Sequence, residues 1–198
     1  LLRAEAHRRG AQQARIGAQG HPPVGTLEAM ARPGSVAVLD VPPAPVPLAP
    51  AAGATALTLC DTDTPVWLDP ALSTPAVIAW LRFHTGCRIV EAPEDAAFAF
   101  AAEPAALPFD RLSTGSDEFP DRSATAVLQI ARLDEGVPLR LTGPGIETEA
   151  TLRAEGLPAG FVTWRTRNRA AYPRGVDVVL VAGATIAALP RSTTVTEG

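Results

Sequence analysis

The chain contains no lysine: all 17 of its basic residues are arginine. A Schiff-base lysine is therefore impossible, which excludes covalent pyridoxal phosphate (PLP) catalysis by this chain. A Walker A phosphate loop is excluded with it, because that loop requires its lysine. Cysteine is scarce as well: 198 residues hold two, Cys60 and Cys87. Neither belongs to a C-x-x-C pair or a ligand-like cluster, so both read as buried thiols in a reducing compartment. Of three histidines, only His84 lies beyond the first 25 residues, and with two scattered cysteines it makes a poor zinc set. No run of about 18 apolar residues occurs, so no helix is expected to span a membrane.

What is present is an ordinary globular composition. Hydrophobic residues make up 46 % of the chain, enough for a real core at this length. The net charge of −4 argues against a face for nucleic acid or an anionic membrane. Residues 1–25 show no strong period and carry Gly17, Gly20, Pro22, Pro23 and Gly25. They read as a mobile arm ahead of one domain over residues 26–198. Arg3, Glu5, His7, Arg8 and Arg9 stand there without an apolar core, unlike a signal peptide.

The periodicities predict alternating elements. Thr26 caps a short helix that Pro33-Gly34 stops, a strand spans 35–41, and the Pro-rich stretch 42–50 is a stiff connection. Helices are expected over 54–60 and from Ser73-Thr74-Pro75 to Gly86. On the latter, Val77, Trp80, Leu81 and His84 share one apolar arc. Short strands are expected at 65–68 and 97–101. Residues 123–131 alternate and read as a half-buried strand, followed by strands at 138–142 and 148–153 of the same meander. Leu157, Phe161, Trp164, Asn168 and Ala171 make a helical stripe that Pro173 ends. Asp177–Ala182 is an apolar run of the kind buried on both faces, and 185–189 continues the sheet. The sum is an α/β fold with a mixed sheet and helices on both faces.

Four groups of residues could carry chemistry. Asp117, Glu118, Asp121 and Arg122 fall within six positions just before a strand. The carboxylates suit a general base or a divalent cation, or the group is a neutralised turn. His84 is either an acid/base group or a hydrogen-bonded core or interface histidine. Arg165, Arg167, Arg169 and Arg174 suit phosphate or carboxylate, or else a solvated helix flank. Arg191, among hydroxyls near the C-terminus, could touch phosphate together with the Asp117–Arg122 turn. Trp80, His84, Phe161, Trp164 and Asn168 are candidate packing or interface positions. Gly143-Pro144-Gly145 starts like a dinucleotide loop but has Thr148 where the third glycine belongs, so no Rossmann motif is read. No G-x-S-x-G elbow or Ser-His-Asp order appears, which disfavours an independent hydrolase. No metal site is expected.

Seven segments in fixed order resemble one family. They are TLEAMARPGSV (26–36), LTLCDTDTPVWL (57–68), WLRFHTGC (80–87), GSDEFPDRSATAVLQI (115–130), LTGPGIE (141–147), YPRGVDVVLV (172–181) and LPRSTTV (189–195). Together they resemble the PhnH family, the H subunit of the bacterial phosphonate carbon–phosphorus lyase system. The segment before residue 26 departs from that pattern, reading HPPVG where the family has an aromatic and arginine-bearing helix. The resemblance implies a fold like the large domain of PLP-dependent transferases, without the cofactor. It also implies a cytoplasmic homodimer, or a place in a complex with the G, I and J subunits. That complex, alpha-D-ribose 1-methylphosphonate 5-triphosphate synthase, transfers the ribose triphosphate moiety of ATP to an alkylphosphonate. The family offers no catalytic residues to carry over to this subunit.

Overall fold

Strand β8 (Asp177–Ala182) lies at the heart of the molecule, because a run of five apolar residues can only be satisfied by cover on both sides. The computed structural model describes residues 25–198, so the expected N-terminal arm lies outside the described residues apart from Gly25. The elements in chain order are α1 (Gly25–Ala31), β1 (Ala37–Val38), α2 (Pro50–Leu59), β2 (Pro65–Leu68), α3 (Pro75–Thr85) and β3 (Arg88–Val90). Then come β4 (Phe98–Ala101), β5 (Thr125–Gln129), β6 (Arg132–Thr142), β7 (Ala150–Glu155), α4 (Phe161–Ala170), β8, β9 (Thr185–Leu189) and β10 (Thr194–Glu197).

Seven strands form one sheet in the order β1-β9-β8-β5-β4-β2-β3. The pairs from β8 through β5, β4 and β2 to β3 are parallel, and β9 and β1 close one edge antiparallel. The two-residue period of each strand divides the apolar residues between two cores. Phe100, Val127, Val179 and Val181 face the first core, which α1, α2 and α3 cover. Ala99, Ala126, Leu128, Val178 and Leu180 face the second, covered by α4 and a three-stranded antiparallel sheet, β10-β6-β7. The class is thus α/β with a mixed sheet and helices on both faces, with a small second sheet added.

Local chemistry explains the helix ends. The Thr74 hydroxyl accepts the Val77 N–H at 3.2 Å and Pro75 opens α3, while Gly86 stops it in the left-handed region (φ 73°). Helix α2 is built from small residues, and a Cβ on its Gly53 would fall 3.3 Å from the Trp80 ring, so α2 and α3 approach closely. The Thr55 and Thr58 hydroxyls donate to Ala51 and Ala54 one turn back, which satisfies them inside the helix.

Several expectations are corrected. The alternating segment 123–131 is not half-buried and not part of the meander. Its Ala126, Val127 and Leu128 are all buried, since β5 sits mid-sheet between β4 and β8. The departure of Val127 from the alternating pattern is the mark of that two-sided cover. The meander is β6-β7, with β10 as its third strand, and β6 begins at Arg132, kinked at Gly136 (φ 92°), where the register shifts. The strand expected over 35–41 shrinks to two paired residues, the helix expected from Ala54 starts at Pro50, and β3 was not foreseen.

The chain reverses its direction of travel across the sheet between β2 and β4. From β2 it runs outward through α3 to β3, on the side of the first core. From β4 it runs the other way, its next segment burying Leu107 and Leu112 in the second core. A parallel sheet normally opens a ligand crevice at the carboxyl ends flanking such a switch. Here the fully buried Asp69, just after β2, fills it. Its carboxylate accepts the Leu72 N–H at 2.8 Å and the Glu103 N–H, just after β4, at 2.9 Å. Beside it, the Gln129 amide at the end of β5 donates to the Pro47 carbonyl at 3.0 Å and accepts the Ala49 N–H at 2.7 Å. That pair of bonds fastens the Pro-rich segment to the same edge.

Candidate functional site

The Asp117–Arg122 loop, Arg174 and Arg191 lie together at the opposite edge, around the amino ends of β5 and β8. Pro120–Arg122 forms one 3₁₀ turn at the end of a loop closed by its own backbone. The Ser116 N–H bonds the Phe119 carbonyl, Phe119 N–H returns to the Ser116 hydroxyl, and Thr114 bridges Ser123. This geometry throws Asp117, Glu118 and Asp121 outward into solvent. Asp117 pairs with Arg174 at 3.0 Å, and the Arg122 guanidinium lies 4.1 Å over the Phe119 ring. The carboxylates do not converge. Among the described residues no three His, Cys, Asp or Glu side chains are grouped as a metal site requires.

Arg191 does reach this turn, but through the backbone. Its guanidinium donates to the Pro120 carbonyl and, through Nε and a terminal nitrogen, to both carboxylate oxygens of Asp177 at 3.3 and 2.7 Å. The Arg191 backbone N–H adds a third bond to Asp177 at 2.6 Å. The pair is mostly shielded from water, 18 % and 12 % exposed. Arg191 is thus a strut that ties the β9–β10 connection to β8 and to the acidic loop. The cleft beside it, lined by Asp121, Tyr172, Asp177 and Ser192 among others, holds about 430 Å³ and is shallow and open.

Asp177 was missed because it reads as the polar first residue of an apolar strand. Arg165, expected either to suit phosphate or carboxylate or to line a solvated helix flank, is instead fully buried. Its guanidinium has no carboxylate in hydrogen-bond contact. It donates instead to the carbonyls of Val176 (3.3 Å), Pro190 (2.6 Å) and Thr193 (3.0 Å), while its Nε finds no partner. Loss of water around the charge pushes its pKa down to about 10; Asp177 pulls the other way and Arg169 adds to the depression. Asn168, one turn along, is buried too, donating to the Val176 carbonyl at 3.0 Å and accepting its N–H at 2.8 Å. The sequence signal was Asn168 itself, a polar residue on an apolar stripe that has to find a partner.

Phe161 and Trp164 are buried within the chain, with Phe109 packed 4.3 Å from Trp164 between ring centres. Trp80 is half-buried, seated against Gly53. Of the core and interface positions expected for His84, the core is excluded: it points into solvent, its ring 4.7 Å from Trp80 and 4.9 Å from Phe83. Phe83 is itself 84 % exposed.

The order of segments along this fold finds a counterpart in known proteins. Residues 24–196 match the model of the family described as bacterial phosphonate metabolism protein (PhnH). The chain belongs to the PhnH family. A relative from Rhizobium meliloti (strain 1021), the alpha-D-ribose 1-methylphosphonate 5-triphosphate synthase subunit PhnH, is 44 % identical over 169 residues, 84 % of each chain. A putative C-P lyase subunit protein, HtxG, from Stutzerimonas stutzeri is 46 % identical over 79 residues, 40 % of each chain. The PhnH match takes in the acidic loop, Asp177, Arg191 and Arg165 together. Among the described residues no helix is long and apolar enough to cross a membrane.

Proposed function

We propose that this chain is an accessory subunit of the carbon–phosphorus lyase core complex, needed for transfer of the ribose triphosphate moiety of ATP to an alkylphosphonate, and not catalytic alone. In this reading it works in the cytoplasm, as a homodimer or joined to the G, I and J subunits. Its sheet resembles the large domain of PLP-dependent transferases, with no PLP, since the chain has no lysine for covalent attachment. The domain over 26–198 is the working unit.

The observation that carries the reading is the state of Arg191. The residue best suited to a phosphoryl group has its donors directed at Asp177 and the Pro120 carbonyl. The polar cluster therefore serves the architecture, and the similarity to a named synthase subunit supplies the assembly. The competing reading, a nucleotide or phosphonate pocket formed by Asp117, Glu118, Asp121, Arg122 and Arg191, has one observation in its favour, the open cleft beside Arg191.

The test is reconstitution of the transfer reaction from ATP and methylphosphonate with and without this chain. The accessory reading expects activity only with it, and no heat of binding when the isolated chain is titrated with either substrate. A saturable heat signal abolished by Asp121→Ala would favour the pocket. Full activity without the chain would overturn the proposal.

A further inference from the structure

Helix α3 leaves one face bare. At 100° per residue, Val77 and Leu81 turn into the first core, and Arg82, Ala79, Phe83, Ala76, Trp80 and His84 follow one another around the solvent side. This face combines a fixed aromatic with a free one. Trp80 is anchored on Gly53 of α2 and stacks against His84, and Phe83 meets the other side of His84 edge-on. An 84 %-exposed phenylalanine in a three-ring cluster is costly to leave in water and matches the composition of interface hot spots.

Charge decides what fits. Helix α3 carries no carboxylate, its last turn carries Arg82 and His84, and Arg82 makes no salt bridge among the described residues. The nearest carboxylates in sequence are Asp69, buried and held by the Leu72 and Glu103 N–H groups, and Glu91, just past β3, and neither forms a salt bridge with Arg82. Asp61 and Asp63 belong to the turn beyond the helix end, where Thr62 packs on Gly86. Asp61 is engaged there by the Thr64 hydroxyl at 2.7 Å. A two-fold dimer on this face would set the Arg82 guanidinium of one copy against that of the next, which is unfavourable. We propose that the Trp80–Phe83–His84 face of α3 docks a segment of a different subunit, one that presents an apolar or aromatic side chain flanked by carboxylates. The inference rests on the accessory-subunit reading and names the surface by which that subunit joins its assembly.

The test uses the full chain, tagged and co-expressed with the other subunits of the synthase, and measures their retention. Phe83→Ser and Arg82→Glu are the variants, both at exposed positions, with circular dichroism and the urea midpoint as folding controls. The proposal expects folded variants, each weakening retention at least about tenfold, and wild-type retention that falls as salt rises from about 0.05 to about 0.5 M. Unchanged retention in both variants would overturn it while leaving the accessory reading intact. So would an isolated wild-type dimer that Phe83→Ser converts to monomer, because the occupant would then be a second copy. Failure of the wild-type chain to retain any subunit would sink both readings at once.

Discussion

Arg165 and Asn168, neighbouring turns of one helix, both donate to the same acceptor, the carbonyl of Val176. That oxygen belongs to the residue immediately before β8, so the helix grips the strand at the point where it enters the sheet. Arg165 extends the grip to Pro190 and Thr193, and Asp177 holds Arg191 on the other side of the strand entry. The amino end of β8 is thereby locked to α4 and to the β9–β10 connection.

Removing the grip should be severe. Arg165→Leu deletes a donor that three carbonyls share; Val176 keeps Asn168 and Pro190 keeps the Thr193 N–H, but each of the three loses a bond to a charged group, worth roughly 1.5–3 kcal/mol. We expect a loss of at least about 3 kcal/mol, read as a lower urea midpoint at unchanged slope. Arg165→Lys should recover only part of it, since one ammonium cannot reproduce the planar fork. A midpoint within about 0.5 kcal/mol of wild type would contradict the buried geometry.

The Asp177–Arg191 strut makes a second case. Asp177→Ala strands a largely buried guanidinium and should cost about 3–5 kcal/mol. Replacing both partners with apolar residues of similar volume should cost much less than the sum of the single changes. A double-mutant cycle with Arg191→Met measures that coupling. Additivity would mean that the two side chains do not act as a pair.

Thr74 gives a smaller, cleaner number. Its hydroxyl caps α3 through the Val77 N–H, so Thr74→Ala should lower stability by about 1 kcal/mol, and Thr74→Ser should restore most of it. Chemical denaturation of the three proteins distinguishes a cap from a merely exposed hydroxyl.

The alkaline limb of the stability curve should carry the signature of Cys60. Burial, then the neighbouring Cys87 and Asp61, push its thiol pKa up from 9.0 to about 12. The folded chain therefore holds that proton when the unfolded chain has released it. The stabilisation is complete below about pH 9 and drains away as pH rises toward 12, with a slope approaching about 1.4 kcal/mol per pH unit. Cys60→Ala should flatten this part of the curve. Consistent with burial, neither thiol should react with a thiol reagent at pH 8 until the protein unfolds.

How much of this was legible in the sequence depended on whether a signal was local. Asp177–Ala182, Pro65–Leu68 and the Thr74–Gly86 helix were read almost to the residue, since their caps and apolar runs decide them without help from afar. β5 was misassigned because its alternation is genuine, yet β4 and β8 cover it from both sides, and that cover is a property of the sheet order. The seven ordered segments identified the family. The charged loop before β5 lies within the family match, while its charges face water. Arg165 was the hardest residue to foresee: nothing in an arginine-rich stretch says which guanidinium turns inward, and only the return of Pro190 and Thr193 from 25 and 28 residues away supplies its acceptors.

The crevice between β2 and β4 invites one more thought about Asp69. Its two carboxylate oxygens occupy the spot on which the N–H groups of Leu72 and Glu103 converge, the arrangement by which loops at such crevices hold phosphates or carboxylates from outside. The chain therefore supplies its own carboxyl group there, tethered by a single methylene. A negatively charged guest arriving from solvent finds those donors already taken.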